Sequence, residues 1–96
     1  MRNAYLVSYD ITEPKRWRQV YKVMLGHGEH VQYSVFRCDL HETDRVRLIA
    51  KLDRLIKKDE DQILFVDMGP VAGRAERCWS TLGKPLASIV RRPVVV

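Results

Sequence analysis

The sequence predicts an α+β domain in which two helices cover one face of an antiparallel sheet. Strand-like and helix-like segments follow each other in the order strand, helix, strand or hairpin, helix, strand, strand. Each helical segment has one apolar face, and the 96 residues are enough for a single domain covering residues 1–96. This order is typical of the ferredoxin-like sandwich, here with an extra strand at the C-terminus.

The first predicted strand, residues 4–11, is an apolar run that ends at Asp10. Thr12 is the expected N-cap of the following helix, and Pro14 fits its first turn. Gly26 and Gly28 are expected to end that helix. Its apolar residues recur at the spacing of one helical face, namely Trp17, Val20, Tyr21 and Met24.

Residues 30–40 alternate as an extended segment and predict either one strand or a tight hairpin that turns at Tyr33-Ser34. A second helix is expected from about Thr43 to Lys57, followed by a charged loop that ends at Asp61. The strand at 62–68 is the most apolar, so we expect it to be central in the sheet. The inner stripe of the second helix would be Leu48, Ile49, Leu52, Leu55 and Ile56.

The pattern weakens after Gly69-Pro70. A short strand is expected within 77–82, then a turn at 83–85. Residues 86–96 have strong β composition interrupted by Pro93, which suits an edge strand. Because an apolar chain end gains from being covered, we expect this strand to dock on a second copy of the protein.

Composition favours an anionic partner. The chain has 17 Lys and Arg against 12 Asp and Glu, a net charge of +5 and a pI near 9.5. Nucleic acid is the first expectation, and a merely soluble basic surface is the alternative. No apolar run approaches the ~18 residues of a membrane span, and no signal peptide is evident at the N-terminus. The two cysteines predict reduced, buried thiols and a cytoplasmic location.

Asp10 is the strongest candidate for chemistry, as a metal ligand that serves catalysis on a phosphodiester. The alternative, which the residue pattern alone favours, is a structural aspartate that binds turn amides. One carboxylate per chain makes a poor metal site, so the functional interpretation requires a two-fold dimer that brings two copies of Asp10 together. Asp67 is a weaker second acid for which a turn is favoured, and Asp59-Glu60-Asp61 is expected to be a solvated loop.

Basic residues of the first helix follow Asp10 closely. Arg16 and Arg18 are the best candidates for phosphate contacts, because the guanidinium fork matches phosphate geometry. Lys15 and Lys22 would add a positive field. The alternative is a helix surface that is charged for solubility. Several aromatic residues are also able to stack on bases, although a place in the core is favoured, namely Tyr9, Trp17, Tyr33 and Phe36.

Taken together, Tyr9-Asp10-Ile11, Lys15-Arg16, Gly28 and the segment 32–36 resemble the CRISPR-associated Cas-two (Cas2) family. The resemblance spans nearly the whole chain in length and element order, and it is strongest over residues 4–40. It implies a ferredoxin-like homodimer whose C-terminal strands cross to the partner. Residues at family-typical positions include Tyr9, Arg16, Ser34 and Phe36, with Arg18 in the basic segment.

The same resemblance implies that Asp10 is the metal-binding aspartate, paired across the dimer axis. Members of the family are endonucleases that depend on magnesium (or manganese) and act on single-stranded RNA or duplex DNA. They also bridge dimers of the Cas-one (Cas1) integrase on DNA destined for a CRISPR array. The chain departs from the family pattern at Trp17, where a second basic residue is common, and over 71–86.

Two hypotheses follow. In the first, the protein is a metal-dependent endonuclease with Asp10 as its catalytic residue. In the second, it is a non-catalytic dimeric scaffold that holds duplex DNA and docks the integrase. A third option is a ferredoxin-like domain that binds RNA or protein in another system.

Overall fold

The computed structural model describes residues 1–86 and the backbone of Val94–Val95. The elements follow the predicted order, and the hairpin alternative is confirmed for the second extended segment. Their bounds are β1 (Asn3–Asp10), α1 (Pro14–Leu25), β2 (Glu29–Gln32), β3 (Val35–Leu40), α2 (Glu42–Leu55), β4 (Gln62–Pro70), a 3-10 turn (Arg74–Glu76), β5 (Ser80–Thr81) and β6 (Val94–Val95).

The main sheet has the order β2-β3-β1-β4, with every neighbouring pair antiparallel. This is the ferredoxin-like arrangement that the sequence predicts. The expectation that 62–68 is central is wrong, because β1 is paired on both sides and β4 lies at the edge of this sheet. β4 is apolar because both of its faces carry apolar residues, and Leu64 and Val66 stay exposed on one of them.

The core lies between the helices and one face of the sheet. β1 contributes alternate residues to it, and α1 contributes Val20 and Met24. From the predicted stripe of α2, Leu48 and Leu52 are fully buried, whereas Ile49 stays partly exposed. Other buried members are Tyr5, Val7, Tyr9, Phe36 and Cys38.

The cysteines differ in their environment. Cys38 is a buried free thiol, and burial raises its pKa to about 12, so it stays protonated at neutral pH. Cys78 is also a free thiol but is exposed, so the expectation of two buried thiols is wrong for Cys78. The 3-10 turn before Cys78 packs on β4, but the Cys78 side chain stays exposed.

The N-cap of α1 is Glu13, not Thr12 as predicted. The Glu13 carboxylate accepts hydrogen bonds from the backbone N–H groups of Lys15 and Arg16, at 3.0 and 2.9 Å. These bonds lower the pKa of Glu13. Thr12 instead donates its hydroxyl to the carbonyl of Glu60 at 3.3 Å. A carboxylate reaches two of the unpaired amides in the first turn, which a threonine hydroxyl so engaged does not.

Gly28 joins α1 to β2 where the chain passes close to β3. A Cβ at this position would meet the Cys38 Sγ and the carbonyl oxygen of Arg37. The glycine is therefore required by close approach, since its φ is not in the left-handed region.

The short strand predicted near the C-terminus is confirmed at Ser80–Thr81, which pairs in parallel with Val94–Val95. The prediction that 86–96 docks on a partner falls mostly on residues 87–93 and 96, which lie outside the described residues. Among the described helices, none is long and apolar enough to cross a bilayer.

Candidate carboxylate site and nucleic-acid interface

Asp10 is the last residue of the central strand β1 and pairs with Gln62 at the start of β4. Its side chain is exposed. Since Tyr5, Val7 and Tyr9 face the helices, alternation places Leu6, Ser8 and Asp10 on the opposite, open face of the sheet. The candidate catalytic carboxylate therefore lies at the end of the sheet face that α1 and α2 leave open. Residues 79–81 and Leu86 border part of that face, beside Leu6 and Leu64.

Ser34 connects three segments at this end of the sheet. Its carbonyl accepts a hydrogen bond from the Tyr9 N–H at 3.1 Å, one residue before Asp10. Its hydroxyl accepts a hydrogen bond from the Trp17 Nε1–H, also at 3.1 Å. Ser34 thus fixes the hairpin turn against both β1 and α1.

Tyr9 and Phe36 are buried beneath the site with their rings 6.2 Å apart. Burial raises the pKa of Tyr9 to about 12, so its phenol is neutral at physiological pH. The Tyr9 hydroxyl has no hydrogen-bond partner among the described residues. The contribution of both rings visible in this structure is packing behind the strand that carries Asp10.

The loop before β4 folds onto the first turn of α1. Asp61 accepts hydrogen bonds from Arg16 Nε at 2.8 Å, Arg16 Nη2 at 3.3 Å, the Lys57 N–H at 2.9 Å and the Thr12 N–H at 3.4 Å. Its side chain is fully buried, and the Arg16 guanidinium and these amides lower its pKa. The expectation of a solvated loop is wrong for Asp61, because that residue joins two segments distant in sequence.

The predicted basic cluster is divided by the structure. Arg16 points toward the loop before β4, where it binds Asp61 and Glu60, and its side chain is only 20% exposed. Lys15, Arg18 and Lys22 are exposed and form no salt bridge within the described part of the chain. Their spacing puts them on one side of α1, and we call them the basic row.

Within residues 1–86 there is no group of three His, Cys, Asp or Glu residues able to hold a metal ion. The weaker candidate Asp67 pairs with Tyr5 toward the far end of β1, where it accepts from the Gly69 N–H and from Asn3. The favoured prediction of a turn residue is wrong in position, because Asp67 lies inside β4, where its carboxylate accepts from the backbone two residues ahead. One chain offers Asp10 alone, which fits a metal only with ligands from a second molecule, water or substrate.

Comparison with known proteins identifies the family. Residues 3–72 match the model of CRISPR associated protein Cas2. The chain is 40% identical to the CRISPR-associated endoribonuclease Cas2 1 of Rhodospirillum rubrum, over 98% of this chain and 91% of that protein.

Two solved structures have the same fold. The crystal structure of Streptococcus pyogenes Cas2 is 34% identical with a TM-score of 0.62, over 66% of this chain and 82% of that one. A chain of a partial Cas6-RT-Cas1–Cas2 complex is 25% identical with a TM-score of 0.64, over 78% and 86%. The chain belongs to the CRISPR-associated protein Cas2 family.

Proposed function

We propose that this protein is a Cas2 subunit of CRISPR spacer acquisition and a metal-dependent endonuclease, with Asp10 as its catalytic residue. The observation that carries the proposal is an exposed carboxylate at the end of the central strand, in a chain matched to the Cas2 model over 3–72. A relative 40% identical over nearly the full chain is named an endoribonuclease, which supports cleavage of nucleic acid.

A homodimer would complete the site. The open face of the sheet carries Leu64 and Val66, which are 53% and 41% exposed, beside Leu6 of β1. Contiguous exposed apolar side chains of this kind favour an interface. In a two-fold dimer the same surface meets itself, so a contact through this face would place both copies of Asp10 at one interface.

Magnesium or manganese would be held by the two Asp10 carboxylates, with water and substrate phosphate as further ligands. When bound, the ion would stabilise negative charge on the phosphodiester and lower the pKa of a bound water. The exposed position of Asp10 suits this role, because the carboxylate has no internal donor among the described residues and remains free to bind.

Phosphate binding is assigned first to the basic row. Arg18, Lys15 and Lys22 are exposed cations without internal partners in the described chain, so they are free to contact a nucleic-acid backbone. Arg16 already satisfies Nε and Nη2 with acids, which leaves Nη1 for a phosphate. Its larger contribution is to hold the turn that follows Asp10.

The test compares Asp10→Ala with Asp59→Ala, an exposed acid in the loop before β4 that has no salt bridge among the described residues. Both variants are assayed on single-stranded RNA and on duplex DNA, with magnesium and with chelator. We expect Asp10→Ala to lose cleavage while Asp59→Ala retains it, and chelator to abolish activity in the parent. Cleavage by Asp10→Ala equal to that of the parent would disprove the catalytic role.

A second candidate function is a DNA-holding scaffold that docks a Cas1-type integrase. It is favoured by the position of the basic row on the helix side of the sheet, whereas Asp10 is on the opposite face, and by the likeness to a chain of a Cas1–Cas2 complex. On this proposal, Asp10→Ala supports spacer acquisition in cells and glutamate at Arg18 and Lys22 does not. The opposite pattern would exclude it. Either function would operate in the cytoplasm.

A further inference from the structure

Tyr33 stands out among the aromatic residues. It lies in the turn between β2 and β3 and is 76% exposed, whereas Tyr9 and Phe36 are buried. An aromatic ring this exposed contributes little free energy from burial, so a polar residue would serve as well in this turn. The position of Tyr33 leaves the ring free to contact a ligand.

The exposed ring is held in a fixed orientation by a column of rings. Tyr33 stacks on Trp17 with centroids 5.2 Å apart and planes at 26°, and Trp17 stacks on Tyr21 at 5.2 Å and 9°. The Trp17 indole is anchored by its hydrogen bond to Ser34. The Tyr33 carbonyl lies 3.1 Å from His30 Nε2, which fixes the turn itself. One face of Tyr33 is thus covered by protein, and the other is open.

Positive charge lies on α1 beside the two rings that support Tyr33. Arg18 and Lys22 each follow a stacked residue, Trp17 and Tyr21, by one position on α1. They therefore lie on the adjoining exposed strip of the helix, next to the aromatic column. An aromatic face beside a row of cations is the combination that single-stranded nucleic acids require, since bases stack while phosphates pair.

We propose that the open face of Tyr33 stacks an unpaired nucleobase and thereby gives the protein a preference for single-stranded nucleic acid. The inference rests on the proposed nucleic-acid function and adds to it a residue that determines specificity. A duplex offers its phosphates to the basic row but keeps its base faces inside the helix, except at its ends. Tyr33 and Asp10 lie at the same end of the sheet, because the Tyr9 N–H bonds to Ser34. A nucleic-acid strand bound along α1 would pass over Tyr33 toward the end of the sheet that carries Asp10.

The test measures base-dependent binding rather than cleavage. Full-length protein carrying Asp10→Asn, which prevents turnover, is titrated with an adenine-rich RNA and with an abasic oligomer of equal length and phosphate number. We expect the base-bearing RNA to bind about thirty-fold more tightly, the middle of the range for one stacked base. Tyr33→Ala should remove that ratio and leave affinity for the abasic oligomer and a long duplex unchanged.

Two further variants separate stacking from structure. Tyr33→Phe keeps the ring and should keep the ratio, whereas Tyr33→Leu keeps apolar packing on Trp17 and should lose it. Fluorescence quenching of a 2-aminopurine in the RNA should be lost in the same variants that lose the preference for base-bearing over abasic oligomer. A ratio that is the same in the Ala, Leu and Phe variants would overturn the proposal. So would a change in oligomeric state on Tyr33→Ala with the ratio intact, which would assign the ring to a protein contact. Loss of Asp10-dependent cleavage alone bears on the nuclease, not on this site.

Discussion

Asp10 and Asp61 lie at the same end of the sheet, since Asp10 pairs with Gln62, the residue after Asp61. Asp10 is exposed and has no hydrogen-bond donor among the described residues. Asp61 is buried and accepts hydrogen bonds from a guanidinium and two backbone amides. Two aspartates at the same end of the sheet thus have different roles. Asp10 stays free to bind a ligand, whereas Asp61 stabilises the fold.

The basic residues show the same division. Arg16 is engaged by Asp61 and Glu60, whereas Arg18, two positions later, is exposed. Residues two apart on a helix point in different directions, so one faces the loop before β4 and the other faces solvent. A charged residue is available for function here only where the fold has left it unpaired.

Asp61→Ala should give the largest effect on stability. It removes the acceptor for the amides of Thr12 and Lys57 and for Arg16, so we expect a loss of about 2–3 kcal/mol in the free energy of unfolding. Urea denaturation measures it, with Asp59→Ala as the matched control. If both alanine variants unfold at the same urea concentration, Asp61 does not hold the loop.

The contribution of Asp61 should also depend on pH. Its pKa in the folded protein lies below the ordinary value of 3.8, mainly because of Arg16. The stabilisation is therefore fully present above that ordinary value and is lost as pH falls through the lower, folded pKa. Urea unfolding of the parent and of Asp61→Asn should differ most near neutral pH and converge in stronger acid. A gap that widens in acid would contradict this account.

Arg16→Ala and Arg18→Ala should separate stability from binding. We expect Arg16→Ala to lower the melting temperature by less than Asp61→Ala does, since Asp61 keeps its amide donors. Arg18→Ala should leave melting unchanged and reduce the slope of log Kd against log salt by about one. Thermal melting and nucleic-acid titrations at several salt concentrations give both readouts. If Arg16→Ala reduced the salt slope and Arg18→Ala lowered the melting temperature, Arg16 would be the phosphate contact.

Asp10→Asn should have the smallest effect on stability. An exposed side chain without an internal partner changes the unfolding free energy by no more than about 0.5 kcal/mol when it is replaced. The same urea experiment measures this, and the cleavage assay on the same preparation should show the loss of activity. A destabilisation similar to that of Asp61→Ala would identify Asp10 as a structural residue.

Much of the fold follows from local pattern. The order of elements, the apolar face of α1 and the turn at Tyr33-Ser34 are confirmed, because periodicity and turn residues act over a few neighbours. The central position predicted for 62–68 is wrong. A strand rich in apolar residues can be buried on both faces or can expose one apolar face, and composition does not distinguish the two. The cap at Glu13 was not predicted, because glutamate is not among the residues preferred at an N-cap; the available signal was Pro14, which as the first helical residue places the cap at 13.

The sequence by itself determined the ferredoxin-like order, the carboxylate at the end of β1 and the presence of basic residues on α1. Only the tertiary structure decided which charges are free and which aromatic ring is exposed. The physical reason is that pairing and burial depend on segments far apart in the chain, such as the contact between Arg16 and Asp61. Spacing along a helix sets the direction of a side chain, but what it meets there is set by packing.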